Sequence, residues 1–246
     1  VSGTARRIQL ESAFLLHHYP WRDSSRILEL FSRSYGRVSV FSRAARRSGA
    51  TAAQPFCELL VSWTERGEAG HLNSLELVRA AAPLTGDRLM SGFYANELLI
   101  KLLQRHDPHP QLFDAYGQLM LRLRERDCAA ARALRLFEKR LLDELGWGLN
   151  LEHEAGSGRP LDAAGSYRYS IDGGAEPIDG VAEGTLIFCG ASLLSLAREQ
   201  LDDPISLADA RRLLRAALDQ CLDGRQLRTR DVMVEMRAYG AKADGG

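Results

Sequence analysis

Near Pro83 the hydrophobic rhythm of the chain changes, and this limits the possible folds more than any other feature. Before it, apolar residues come in short β-rich runs separated by turn signals; after it, they recur every three to four positions. A chain of 246 residues that carries the two rhythms in two blocks is α+β, not an alternation of strands and helices. At about 100–200 residues per domain the length allows one or two domains, and the two-block organisation favours two or more.

The first block holds five strand-like runs. Gln9-Leu10-Glu11-Ser12-Ala13-Phe14-Leu15-Leu16 leads to Tyr19-Pro20, where the proline is expected to end or bend the strand. Arg26-Ile27-Leu28-Glu29-Leu30-Phe31 and Arg37-Val38-Ser39-Val40-Phe41 flank Ser34-Tyr35-Gly36 and predict a hairpin. Phe56 to Trp63 and Leu72 to Val78 flank a second turn at Arg66-Gly67-Glu68-Ala69-Gly70. Between the pairs, residues 43–54 are basic, small and polar with no apolar period, which predicts a mobile loop. Five short strands in about 80 residues suit a small closed barrel, with the five-stranded OB barrel leading. Strand content alone supports an SH3-like barrel nearly as well. Phe31 is expected in the barrel core, and Trp63 alternates with Leu59 and Val61 on the inward side.

In the second block Leu89, Phe93, Ile100 and Leu103 share a helical face that Asp107-Pro108-His109-Pro110 terminates. Leu112, Tyr116, Leu119 and Leu123 mark a second helix. Leu134, Phe137, Leu141 and Leu145 mark a third, capped by Gly146. Residues 150–186 lose the period and carry seven glycines, with one short strand at Tyr167-Arg168-Tyr169-Ser170. Helices resume from Ala191 to about Leu201. Ser206 with Asp209 is expected to open the next, and Thr229 to cap the last. The expected organisation is a barrel domain over residues 1–82, a helical domain over 83–149 and 187–240, a Gly-rich insert over 150–186, and a flexible tail over 241–246.

Bulk charge is uninformative, since 32 basic residues cancel 32 acidic ones. Its distribution is informative. Residues 1–47 contain nine arginines against three acids, a local excess of six, and the rest of the chain carries the opposite balance. Such asymmetry points to a polyanion. Only three lysines occur, so nearly all the positive charge is guanidinium, which bonds phosphate through two nitrogens and stacks on bases. Cys57, Cys128, Cys189 and Cys221 lie far apart, which suits a reducing compartment and argues against a disulfide framework. No run approaches the roughly 18–20 apolar residues of a membrane span, and the first residues have no apolar signal core. A cytoplasmic protein is expected.

Enzymatic signals are weak. His17 and His18 are adjacent, and on a strand they point to opposite faces, unsuited to holding one metal. Ser157 lies in Gly156-Ser157-Gly158 without the strand–elbow–helix setting of a hydrolase nucleophile, and neither a GxxxxGK[ST] loop nor a strand-linked GxGxxG occurs. An active site in the insert would need a cleft around Asp162, Asp172 or His153. No catalysis and no cofactor are expected. Nucleic-acid binding has more support. Arg22, Arg26, Arg33, Arg37, Arg43, Arg46 and Arg47 interleave with Trp21, Phe31, Tyr35 and Phe41, and single strands are held by cations on phosphates and aromatic faces on bases. Tyr35 at a turn and Trp21 after a proline are the candidates for exposure. These residues do not separate DNA from RNA, so an RNA-binding OB protein whose helices scaffold assembly stays open.

Ordered blocks along the chain resemble a known family. Tyr19-Pro20-Trp21-Arg22-Asp23-Ser24-Ser25, Leu30-Phe31, Gly36-Arg37-Val38, Arg43-Ala44-Ala45-Arg46 and Gln54-Pro55-Phe56 resemble the N-terminal OB domain of the bacterial recombination mediators of the RecO family. The resemblance continues through Ser91-Gly92-Phe93-Tyr94-Ala95-Asn96-Glu97, Leu134-Arg135-Leu136-Phe137-Glu138, Leu145-Gly146-Trp147-Gly148, Ala155-Gly156-Ser157-Gly158 and Leu227-Arg228-Thr229-Arg230-Asp231. It implies a nucleoid-associated DNA repair protein that binds single- and double-stranded DNA, anneals complementary strands, and helps RecR load RecA onto DNA coated by single-strand-binding protein (SSB). The acidic, aromatic-ended tail of SSB docks on the helical domain in that family, which points to Arg135, beside Phe137, and to Arg122 and Arg124; a surface salt bridge of Arg135 with Glu138 is the alternative. The resemblance also implies a zinc-finger-like insert. Many members hold four cysteines there, with C-x-x-C-G where this chain has Glu154-Ala155-Gly156-Ser157-Gly158. Without thiolates no zinc is expected, and packing alone should hold the insert.

Overall fold

The computed structural model describes residues 6–21, 25–43, 55–66, 69–126, 129–178 and 186–243, with side chains through residue 236. Five strands come first: β1 (Arg6–Trp21), β2 (Ser25–Ser32), β3 (Gly36–Arg43), β4 (Glu58–Arg66) and β5 (Ala69–Leu77). Three helices follow: α1 (Gly86–Leu102), α2 (Pro110–Arg122) and α3 (Ala130–Glu144). Then come β6 (Ser166–Ser170), β7 (Gly174–Pro177), β8 (Ile187–Cys189), α4 (Gly190–Ala197), α5 (Pro204–Leu222) and α6 (Arg228–Ala243). Among the described residues no helix is long and apolar enough to cross a membrane.

The pairing of the first five strands runs β1-β2-β3-β5-β4 and returns to β1. This is the expected OB barrel. Its thinnest seam is β3–β5, a parallel contact of two residue pairs, Val40 with Gly70 and Phe41 with His71. The interior is filled by Leu15, Leu28, Leu30, Val38, Val40, Leu59, Val61 and Trp63. Trp63 is 1% exposed and lies under Gly70, where a Cβ would strike its ring. Pro20 does not end its strand: β1 runs one residue further and pairs Pro20 with Arg26. Beyond Phe14, β1 has no register with β4, so Pro20 sits on an edge where a missing N–H is tolerated.

Four consecutive residues, Ala13 to Leu16, are buried. Such a run is possible only where a strand is covered on both faces. Leu15 faces the barrel interior, while Phe14 meets Phe113 and Tyr116 of α2 at ring-centroid distances of 4.9 and 4.8 Å. Phe31 is also fully buried, but on this outer side, against Phe113 and Tyr116, and not in the barrel core as its sequence position suggests. A register irregularity between Leu15 and His17 leaves Leu16 without a partner in β2. The Asn96 amide donates to its carbonyl at 2.8 Å and accepts from the Tyr116 hydroxyl, so the bulge is satisfied from α1 and α2.

The chain forms two compact units, Val1–Arg126 with Leu227–Gly246, and Asp127–Gln226. The helices α1, α2 and α6 thus group with the barrel, and contact divides helices that periodicity alone places together. The start of α6 is capped by a distant carboxylate: Glu97 accepts from the Arg228 and Thr229 N–H groups, both at 2.9 Å, and from the Thr229 hydroxyl at 2.7 Å. Burial works to raise the Glu97 pKa, but these donors outweigh it and hold the carboxyl below its ordinary value. Thr229 is therefore the capped residue, not the cap.

In the second unit α3 ends as expected at Gly146, whose N–H meets the Asp143 carbonyl while that of Trp147 meets Leu142. The N-cap of α5 is Asp203, which accepts from the Ser206 N–H at 2.7 Å with Pro204 in the first turn, three residues before the expected start. The insert, for which the sequence predicts one strand, supplies β6 and β7, which join β8 just beyond it in a three-stranded sheet of order β7-β6-β8. Tyr167 and Tyr169 alternate inward on β6. The Tyr167 hydroxyl accepts from the Asp162 N–H, and that of Tyr169 donates to the Asn150 carbonyl.

Candidate nucleic-acid interface

The arginines of the barrel fall into distinct settings. Arg26 and Arg43 are exposed at one end of the β2–β3 hairpin, where Arg26 pairs with Ser42 and Ser25 with Arg43. Among the described residues neither forms an ion pair. The charge of Arg26, after burial, helps hold the pKa of neighbouring His18 below its ordinary value. Arg33 is exposed but engaged: its guanidinium meets both carboxylate oxygens of Asp114 and lies 5.9 Å from the Phe113 ring centroid. Tyr35 is not a free face. It stands edge-on against Trp63 at 5.4 Å with the Arg6 guanidinium 5.0 Å from its ring, closing one end of the barrel.

Arg37 belongs to a buried cluster. Glu29 is 2% exposed, and its Oε1 lies 3.2 Å from Arg37 Nη1. Its Oε2 accepts from the Ser39 hydroxyl at 2.6 Å and from Arg105 Nη2 at 3.2 Å. The Ser39 hydroxyl in turn accepts from Arg105 Nη1. Burial, with the like charge of Arg105, holds the Arg37 pKa below its ordinary value against the opposing pull of Glu29. The role of Arg37 visible here is to neutralise Glu29. Arg22, Arg46 and Arg47 lie outside the described residues.

Strand register brings together residues that the sequence reading left scattered. On the outer side of the barrel Trp21 pairs with Ser25 and Ser25 with Arg43. The next row runs Tyr19–Ile27–Phe41–His71 across β1, β2, β3 and β5. Three rings meet in a ladder, Trp21 to Phe41 at 5.8 Å and Phe41 to His71 at 5.9 Å, and His17 meets Tyr19 at 4.5 Å as a separate pair. Tyr19 and Trp21 remain 43% and 45% exposed. Trp21 and Phe41 carry a sequence signal as aromatics among arginines. His71 carries none, because only the β3–β5 closure brings it beside Phe41. The His17 and His18 rings lie 6.0 Å apart and do not diverge as regular strand alternation predicts, next to the irregularity at Leu16.

The three arginines assigned to a peptide tail also differ. Arg122 is exposed and makes one i,i+3 ion pair with Glu125 at 3.2 Å, beside the exposed Leu121. Arg124 donates to the carbonyls of Ala82, Met120 and Phe56. Arg135, in the second unit, is buried and bonded to Glu138 at 2.9 Å.

At the insert, the positions of the first two zinc-binding cysteines are filled by a polar knot. Glu154 Oε2 accepts from the Ser157 hydroxyl at 2.6 Å and from Arg159 Nε at 3.3 Å. One carboxylate with two donors already on it is a poor substitute for thiolates, so these residues do not fit the zinc that the resemblance implies for many members. Among the described residues no group of three or more His, Cys, Asp or Glu converges.

Comparison with known proteins gives a consistent result. The family described as Recombination protein O N terminal matches residues 8–81, and Recombination protein O C terminal matches residues 83–231. The chain is 44% identical over 229 residues to the DNA repair protein RecO of Alkalilimnicola ehrlichii, covering 91% of this chain and 90% of that one. It is 38% identical over 242 residues to the DNA repair protein RecO of Nitrosococcus oceani, covering 95% and 96%. The DNA repair protein RecO of Methylococcus capsulatus is 39% identical over 234 residues, covering 94% and 95%.

Proposed function

Because this chain belongs to the RecO family of DNA repair proteins, we propose that it is a non-catalytic DNA-binding mediator that anneals complementary strands and, with RecR, assists RecA loading on SSB-coated DNA. The observation that carries the DNA-binding reading is the charge of the hairpin end. Arg26 and Arg43 stand exposed there, and Glu29, the one acid on the adjoining outer rows of β2 and β3, is neutralised by Arg37 and Arg105. Annealing brings two polyanions together, and a cationic surface lowers their repulsion. Each phosphate neutralised releases counterions, so affinity falls with salt in proportion to the contacts made. In the Arg26→Ala/Arg43→Ala double variant, the slope of log affinity against log salt is expected to become shallower by about 2. Oligonucleotide binding measured by anisotropy across a salt series tests this, with strand annealing followed in parallel. An unchanged slope removes these two side chains from the interface.

For the acidic SSB tail, Arg122 is the best placed of the three candidates. Its pair with Glu125 is between two exposed side chains and so is weak, contributing about 0–1 kcal/mol, which a tail carboxylate can replace. Leu121 beside it offers apolar surface to an aromatic terminus. Arg124 and Arg135 are already committed to carbonyls and to Glu138. Polarisation of a labelled tail peptide should therefore drop in Arg122→Ala. Loss in Arg135→Ala alone would move the tail to the other unit.

A further inference from the structure

We propose that the outer-face rings Tyr19, Trp21, Phe41 and His71, from two adjacent register rows, form a stacking platform for unpaired bases, so that the barrel holds single strands by base faces as well as phosphates and holds duplex by phosphates alone. This rests on the DNA-binding reading and adds to it a discrimination between the two forms of DNA.

The placement of the rings follows from register. Side chains alternate across a strand, so Leu28 and Val40 point into the barrel while their neighbours Ile27 and Phe41 point out. Tyr19 lies opposite Ile27, Phe41 opposite Ile27 and His71, and Trp21 is two residues beyond Tyr19 on the same side of β1. The three rings of Trp21, Phe41 and His71 are contiguous, at 5.8 and 5.9 Å. Further along the same outer face, Phe14 and Phe31 are closed off by Phe113 and Tyr116. Among the described residues no such cover lies over Tyr19 and Trp21, which remain nearly half exposed.

The electrostatics select the occupant. In the row of Trp21 stands Arg43, opposite Ser25 and two residues beyond Phe41 on β3. On the other side Glu29 is enclosed by Arg37 and Arg105, so two guanidiniums face one carboxylate. The ladder thus lies between two cationic edges, and the rings themselves carry no acid. An acidic partner with flat apolar faces suits this surface, and single-stranded DNA has both features: phosphates for the edges and bases for the rings. In duplex the base faces are stacked on one another and are not available, so only the edges engage.

Fluorescence and paired affinities test the assignment. The chain has three tryptophans: Trp63 is in the core, and Trp147 lies in the second unit. An oligo-dT of about 15 nucleotides should quench the wild-type signal, and Trp21→Phe should remove that quench while keeping the affinity, because a ring remains. Trp147→Phe should keep it. In Phe41→Ala the affinity for oligo-dT should fall about tenfold while that for a duplex of the same length stays within about twofold. Quenching that survives in Trp21→Phe overturns the platform, as does an equal fall for both DNA forms in a Phe41→Ala protein with wild-type thermal unfolding. If Phe41→Ala does not fold, the Trp21→Phe quench still decides. Failure of the wild type to bind either form at low salt would instead overturn the DNA-binding reading itself.

Discussion

Replacing Glu29 with alanine is expected to cost about 3–5 kcal/mol of unfolding free energy, among the largest effects of any single side chain in this barrel. Glu29 is buried, and three groups depend on it: the half-buried Arg37, Arg105 and the Ser39 hydroxyl. Removing the carboxylate leaves Arg37 partly desolvated beside Arg105, so a favourable pair becomes a like-charge contact. The cost is the stranded charge, not the lost attraction. A second variant separates the two. In Glu29→Leu/Arg37→Met neither charge is buried, and most of the loss should be recovered, since apolar residues of similar volume often replace a buried pair at little cost. Urea unfolding of the single and double variants measures both. A Glu29→Ala protein within about 1 kcal/mol of wild type would show that water reaches Arg37 and that the cluster has little structural weight.

That cluster marks the limit of what the residues alone revealed. Five strands and the inward positions of Trp63, Leu59 and Val61 follow from local patterning, because alternation and turn chemistry act within a few residues. So does the Gly146 end of α3. What patterning does not contain is the second partner of each face. Phe31 is apolar and buried, but its burial against Phe113 and Tyr116 is set by a helix some eighty residues away. The cap of α6 comes from Glu97, across more than a hundred residues, and no local motif signals it. The arginines show the same gap more sharply. Arg33, Arg37 and Arg124 look like free cations in sequence, but each is engaged by Asp114, Glu29 or backbone carbonyls, whereas the pair of Arg135 with Glu138 is legible from their spacing. Arg26 and Arg43 differ from them in that no described residue forms an ion pair with either. The aromatic ladder was half legible: Trp21 and Phe41 stand out among the arginines, while Tyr19 and His71 join them only through register.

Gly36→Ala should be nearly as damaging as loss of Glu29, for a different reason. Gly36 opens β3 with φ +64, a conformation that costs an L-residue roughly 1–2 kcal/mol. The space beside it is also taken, since a Cβ there would overlap the backbone of Asp107. The Asp107 segment cannot retreat freely. His106 donates its N–H to the Arg37 carbonyl at 3.1 Å, and Arg37 forms a bridge with Arg105, the residue that reaches Glu29. Moving this strap to admit a methyl group therefore breaks backbone bonds and loosens the Glu29 cluster together, and a total near 3 kcal/mol is expected. Two comparisons identify the source. Gly146 has φ +78 with open space around it, so Gly146→Ala should show the conformational cost alone, about 1 kcal/mol. Gly36→Asn tolerates the left-handed conformation but still carries a Cβ, so it should remain close to Gly36→Ala. The readouts are the urea midpoint and hydrogen exchange at the His106 amide, which should lose protection. If Gly36→Asn matches wild type, or the His106 amide stays protected in Gly36→Ala, the close approach of Asp107 does not constrain this turn.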